Sequence, residues 1–128
     1  MRLSFLLVLV VCISGVAYSA EVPDPVPAQY RAALADWLKD PRAAPHGGES
    51  FADVVKRVGG WMNEMLGRSG SVLAVTHALV IRAAIAHALG AGPEIFRHID
   101  VAPLTKVKLS SGGGRWTLAS LVSPRDLR

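Results

Sequence analysis

The residue best placed to do chemistry is His77. It follows Ser71-Val72-Leu73-Ala74-Val75-Thr76, a short apolar run rich in β-branched residues, and it precedes a longer apolar stretch with helical spacing. Such a run reads as a strand of a parallel sheet covered on both faces. The histidine therefore stands where a strand gives way to a helix. In open α/β sheets, ligands bind at the carboxyl ends of the strands. The free N–H groups and positive dipole end of a helix start favour a phosphate there. An imidazole at that junction can donate to a phosphoryl oxygen or carry a proton near neutral pH. The competing use of such a residue is a core histidine whose hydrogen bonds are satisfied inside the fold.

Other candidates surround it in the sequence. Glu49 precedes Ser50 at a helix start, where a carboxylate is favoured by the dipole whether or not it faces a pocket. His46 sits in the preceding loop, and His87 lies on the helix after His77 as a packing or surface residue. Arg57 and Arg82 read as solvated helix charges, either of which could edge a phosphate pocket. The four histidines have no metal-cluster spacing, and the single cysteine, Cys12, excludes both a disulfide framework and a Cys/His zinc site. No metal or cofactor is expected.

These residues need elements to hold them. Residues 28–39 form a helix with Tyr30, Ala33, Leu34, Trp37 and Leu38 on one stripe, ended by Asp40-Pro41. Ser50 caps the next helix through a capping box with Asp53. Its stripe comprises Phe51, Val54, Val55, Val58, Trp61, Met62, Met65 and Leu66, and Gly67 stops it. Gly59-Gly60 interrupts that stripe and predicts close packing against a neighbour or a bend. The strand over 71–76 leads into a helix over 79–89 closed by Gly90, then a short helix over 93–99 with Pro93 at its favoured first position. Residues 104–109 and 115–122 alternate around a glycine-rich turn at 110–114 and read as an antiparallel hairpin. The fold class is α/β, with one parallel-type strand, a C-terminal antiparallel hairpin and flanking helices. That is too few strands for a complete doubly wound sheet, so the chain reads as part of a domain.

The N-terminus carries three competing readings. Met1-Arg2, the apolar run 3–16 and the small residues of Ala17-Tyr18-Ser19 have the layout of a secretory signal peptide or anchor. The same run could be the buried first strand of the domain, or the product of a misplaced start codon on a cytoplasmic protein. The expected division is a signal-like segment at 1–20, a proline-rich linker at 21–27, the domain at 28–122 and a tail at 123–128.

The 128 residues give room for one domain. At 51 % hydrophobic and 19 % charged the composition is globular. The net charge of +4 comes from scattered Lys and Arg, with no like-charge run and no interleaved aromatics, which argues against nucleic-acid binding.

Pro45-His46-Gly47-Gly48-Glu49-Ser50, followed by Phe51, Val54, Arg57, Val58 and Trp61, resembles the Gly-Glu-Ser segment and helix of histidine phosphatases, the phosphoglycerate-mutase-like family. Val72-Leu73-Ala74-Val75-Thr76-His77-Ala78 resembles the strand that ends in that family's second histidine, and Val80-Ile81-Arg82-Ala83 the helix after it. Ile99-Asp100-Val101-Ala102-Pro103-Leu104 and Trp116-Thr117-Leu118 resemble its closing segments. The resemblance runs from about Gln29 to Val122 and covers the C-terminal half of the family's domain. It implies a partial phosphoglycerate-mutase-like three-layer sandwich.

It also implies phosphomonoester hydrolysis through a phosphohistidine. In the family, an Arg-His-Gly motif after the first strand supplies the nucleophile, arginines and the second histidine hold the phosphate, and an acid upstream of Gly-Glu-Ser protonates the leaving oxygen. His77 carries over as the second histidine, catalytic and phosphate-binding, with the backbone N–H of Ala78 beside the phosphate. Glu49 matches the Gly-Glu-Ser glutamate, which is not the usual proton donor. No Arg-His-Gly occurs in the chain; Arg97-His98 is followed by Ile99 and falls in a segment used for packing. The expectations are negligible turnover, a phosphorylated small molecule or phosphate as ligand, and a second copy or partner over exposed edges. The alternatives are a non-catalytic exported or tethered remnant, or a longer active enzyme with an earlier start.

Overall fold

The computed structural model describes residues 5–11, 28–45 and 47–127. Expectations for the linker, for His46 and for most of the signal-like segment fall outside them. Among the described residues, four strands, three helices and two short 3-10 turns follow in the order β1 (Phe5–Val11), α1 (Ala28–Lys39), α2 (Phe51–Glu64), β2 (Ser71–Thr76), α3 (Ala78–Ala88), a turn at Pro93–His98, β3 (Lys106–Gly112), β4 (Arg115–Val122) and a turn at Pro124–Leu127.

The strands form one sheet in the order β2-β1-β3-β4. β1 runs parallel to β2, with Val8 opposite Leu73 and Val11 opposite Thr76. On its other side β1 runs antiparallel to β3, with Val8 opposite Lys108. The apolar run that has the layout of a leader thus supplies an interior strand. Its near-continuous Leu and Val sequence suits a strand flanked on both sides.

β2, expected to be covered on both faces, alternates between half-buried and exposed residues instead. Leu73 is 66 % and Val75 61 % exposed. The physical reason is position: β2 is an edge strand whose second face has no covering layer among the described residues. Val72 and Ala74 face the other way and pack against the core beneath α2 and α3.

That core joins Phe51, Val54, Val58, Met62 and Met65 of the α2 segment to Ile81 and Ile85 of α3 and to Val107, Leu109 and Trp116 of the hairpin. α2 starts as its sequence predicts. The Ser50 backbone N–H donates to Asp53 at 3.0 Å, and the Asp53 N–H donates to Ser50 Oγ at 3.1 Å, which satisfies the otherwise orphaned donors of the first turn. The Ser50 hydroxyl, donating to Asp53 Oδ2 at 2.7 Å, and then the Ser50 backbone N–H hold the Asp53 carboxyl below its ordinary value. Trp61 leaves the expected stripe and stands 39 % exposed. On α1, Leu38 is likewise 47 % exposed, while the Trp37 ring reaches Phe96 at 6.0 Å between centroids.

The expected hairpin forms with a tighter turn than its sequence suggests. Strand pairing continues to Gly112 opposite Arg115. The reversal needs only Gly113 and Gly114, with φ of 62° and 75°, the positive pair that a two-residue hairpin turn requires. β3 starts at Lys106 rather than Leu104, because Leu104 takes a left-handed φ of 63° in a turn closed by the Thr105 N–H bonding to the Ala102 carbonyl.

Gly59 is the close approach anticipated from the glycine pair. A Cβ built there would lie 2.5 Å from His87 Nδ1, and the His87 ring is itself fixed by its Nε2, 2.9 Å from Asn63 Oδ1. Burial lowers the His87 pKa, so the ring packs between the helices as neutral imidazole near pH 7. At Gly60 an added Cβ meets only open space. Ala has better helix propensity than Gly by about 1 kcal/mol, whereas overpacking costs about 1–3 kcal/mol. Gly60→Ala is therefore expected to raise the midpoint of urea unfolding, and Gly59→Ala to lower it; equal midpoints would contradict the packing described.

Candidate functional site at the carboxyl end of the parallel strands

Because β1 and β2 are parallel and Val11 pairs with Thr76, both strands finish at the same level of the sheet. His77 follows β2 directly. It holds an extended backbone (φ −102°, ψ 157°) as the N-cap of α3, and its side chain makes no capping hydrogen bond. Its carbonyl accepts the Ile81 N–H at 3.2 Å, which starts the helix. The imidazole is exposed and Ala78, the first helical residue, is half-buried. The first-turn N–H groups of α3 therefore have no side-chain acceptor from the cap, as an anion site needs.

A cleft of about 460 Å³ borders the end of β2. It is lined by Arg57, Val58 and Trp61 from α2, by Ala74, Val75 and Thr76 from β2, and by Val80 from α3. Arg57 is its cation. Glu49 holds that guanidinium in the planar, two-point geometry typical of Arg–carboxylate pairs, accepting from Nε at 2.8 Å and from Nη2 at 2.9 Å. The hydrogen bond to Arg57 lowers the Glu49 pKa and correspondingly raises that of Arg57. Glu49 is thus an ionised counter-charge at neutral pH, a state that orients Arg57 and cannot donate a proton.

The sequence-derived candidates separate into two groups. Arg57 lines the cleft beside Thr76, with Glu49 joined to it, whereas His77 and Ala78 follow β2 directly and are not among the residues lining that cleft. Arg82 is turned elsewhere: its Nε donates to the Ile99 carbonyl at 2.7 Å, tying α3 to the segment after the short 3-10 turn. Arg97-His98 sits on that turn, where Arg97 stacks 5.8 Å from the centre of the Phe96 ring and Phe96 is buried, a packing role. Arg57, read from the sequence as a solvated helix charge, is exposed and paired with Glu49. The signal available was the Glu49-to-Arg57 spacing across a capped helix start, which brings a residue just before the cap level with one two turns into the helix. Among the described residues no group of three or more His, Cys, Asp or Glu side chains could hold a metal ion.

The neighbourhood of β1 contains the main chemical departure. In the sequence Val11 is followed by Cys12-Ile13-Ser14-Gly15. No histidine or arginine occurs between Val11 and Arg31.

A model of the histidine phosphatase superfamily (branch 1) matches residues 17–124. The bifunctional protein Rv2228c of Mycobacterium tuberculosis is 36 % identical over 81 residues, which are 60 % of this chain and 22 % of that protein. Among solved structures, the mycobacterial glucosyl-3-phosphoglycerate phosphatase Rv2419c is 26 % identical with a TM-score of 0.57, over 72 % of this chain and 53 % of that one. The phosphoserine phosphatase of Entamoeba histolytica, solved with 3-phosphoglyceric acid, is 17 % identical with a TM-score of 0.62, over 75 % of this chain and 51 % of that one. The chain spans about half the length of these solved relatives and less of the curated one. The α/β fold with its C-terminal antiparallel hairpin is thus the partial phosphoglycerate-mutase-like arrangement expected from the sequence.

Proposed function

The chain belongs to the histidine phosphatase superfamily, and we propose that it binds the phosphoryl group of a small phosphorylated molecule at the end of β2 without hydrolysing it at an appreciable rate. One observation carries this reading. His77 stands exposed at an uncapped helix start, while the sequence after the adjacent parallel strand offers Cys12-Ile13-Ser14 where the family's chemistry needs Arg-His-Gly. In this reading the sequence supplies candidates for the anion-holding half of the machinery and no Arg-His-Gly for the nucleophilic half.

In this reading His77 donates to a phosphoryl oxygen, as does the Ala78 N–H, and Arg57 supplies compensating charge from the α2 side. Glu49 positions Arg57. The activity named for the mycobacterial relative, on a phosphorylated glycerate, supports a phosphorylated small molecule as the class of ligand. An exported, partner-binding role without catalysis is compatible with the same site. Covering of the open β2 edge by a partner or second copy is part of the proposal, since uncovered edges invite pairing.

So is retention of the N-terminal run. Cleavage after Ser19 would remove the strand that pairs with both β2 and β3. We therefore expect an intact mass for the natural protein that includes residues 5–11; a chain starting near Ala20 would overturn that part.

Titration calorimetry with inorganic phosphate tests the site. Hydrogen bonds to charged groups contribute about 1.5–3 kcal/mol, so His77→Ala is expected to weaken phosphate binding by at least about tenfold. Equal binding by both forms would remove His77 from the site.

A further inference from the structure

One face of α2 is open among the described residues, although Asp53 caps the helix and Arg57 pairs with Glu49. Asp53, Lys56, Arg57, Gly60, Trp61 and Glu64 line a single shallow surface along the helix, and Arg68 continues it beside Trp61 and Glu64. Trp61 is 39 % exposed. Gly60 beside it is a helix-weakening residue with nothing within 4 Å of where a Cβ would sit. Gly59 is explained by His87; among the described residues nothing accounts for Gly60.

The order of charges on this face is self-complementary. An antiparallel two-fold axis passing between Gly60 and Trp61 of α2 sets Arg57 opposite Glu64 of a second copy. The same axis sets Trp61 opposite its Gly60, where the missing side chain leaves room for an indole. Exposed tryptophans and arginines flanked by complementary charge are common anchors of interfaces.

The edge strand obeys the same axis. Trp61 and Glu64 lie beside Ser71 and Val72, and Arg57 and Trp61 lie beside Ala74, Val75 and Thr76. The midpoint of the helix face is therefore level with the midpoint of β2. β2 carries no charge and no proline, so it lacks the devices that protect sheet edges. We propose that a second copy of this chain docks here, α2 against α2 and β2 edge against β2 edge, in one continuous sheet with two-fold symmetry. This rests on the reading that the open edge is covered, and it does not depend on phosphate binding.

The test is sedimentation of the full chain over a concentration series up to about 100 µM, a range that populates a dimer of micromolar affinity. The wild type is expected to dimerise. Glu64→Arg and Arg57→Glu, each alone, place like charges opposite one another and are expected to weaken the dimer at least about tenfold; an equimolar mixture of the two variants restores opposite charges and is expected to dimerise again. Melting of each variant by circular dichroism controls for folding, and Gly60→Gln gives a second route, filling the open space without touching the core. A monomeric wild type would overturn the covered edge itself. A dimer indifferent to these variants, or a mixture that does not recover, would overturn this geometry while leaving another interface to cover the edge.

Discussion

Purified protein is expected to hydrolyse p-nitrophenyl phosphate with a kcat/KM about 10⁴–10⁶-fold below that of a superfamily member that retains Arg-His-Gly. Removing the nucleophile from a catalytic unit costs on the order of 10⁴–10⁶ in rate, and what survives comes from positioning and electrostatics alone. Phosphoryl transfer depends on an attacking atom held in line with the leaving oxygen while donors neutralise the equatorial charge. Here His77 and the Ala78 N–H can serve the second requirement, but nothing in the sequence after Val11 serves the first. Glu49, ionised against Arg57, does not supply the leaving-group proton. The residual rate should therefore change little in His77→Ala. A substantial rate that disappears in His77→Ala would show that the chain has assembled a working centre by another route.

The largest stability effect is expected at Phe51. It is 1 % exposed, its ring lies 4.8 Å from that of Phe96, and it is the first residue of α2. Truncating a buried phenylalanine to alanine costs about 3–5 kcal/mol in transfer and cavity terms. Against a typical total of about 5–15 kcal/mol, Phe51→Ala should lower the melting temperature by about 10–20 °C. It should also loosen the start of α2, and with it the Glu49–Arg57 pair, so phosphate binding should weaken before unfolding begins. Leu38→Ala, at a residue 47 % exposed, serves as the control and should melt within a few degrees of the wild type. Equal melting of both variants would place the core elsewhere.

Local signals in this sequence were legible where one residue type answers one physical need. Ser50 and Asp53 cap a helix, Gly59 admits a ring, Gly113-Gly114 reverse a chain, and His77 ends a strand. What depends on partners far along the chain was harder to read. A run such as residues 5–11 reads equally well as a leader and as an interior strand, and the strands it pairs with, β2 and β3, come from far along the chain. The coverage of Leu73 and Val75 was misjudged for the same reason, because a strand's sequence reports its affinity for apolar neighbours and not whether they are there. Trp61 fitted the apolar spacing of α2 but lies at the margin of the buried arc. Arg57 is the solvated charge its sequence suggests, but its two-point pairing with Glu49 depends on a residue on the loop side of the helix cap.

The account turns on whether an anion sits at the start of α3, and amide NMR reads that directly. Phosphate titrated into isotopically labelled protein at neutral pH is predicted to shift the Ala78 amide most, with the His77 ring and the neighbouring first-turn amides moving along the same binding curve. Shifts absent from residues 77–79, or centred instead on the exposed Lys106 and Lys108 of β3, would contradict it.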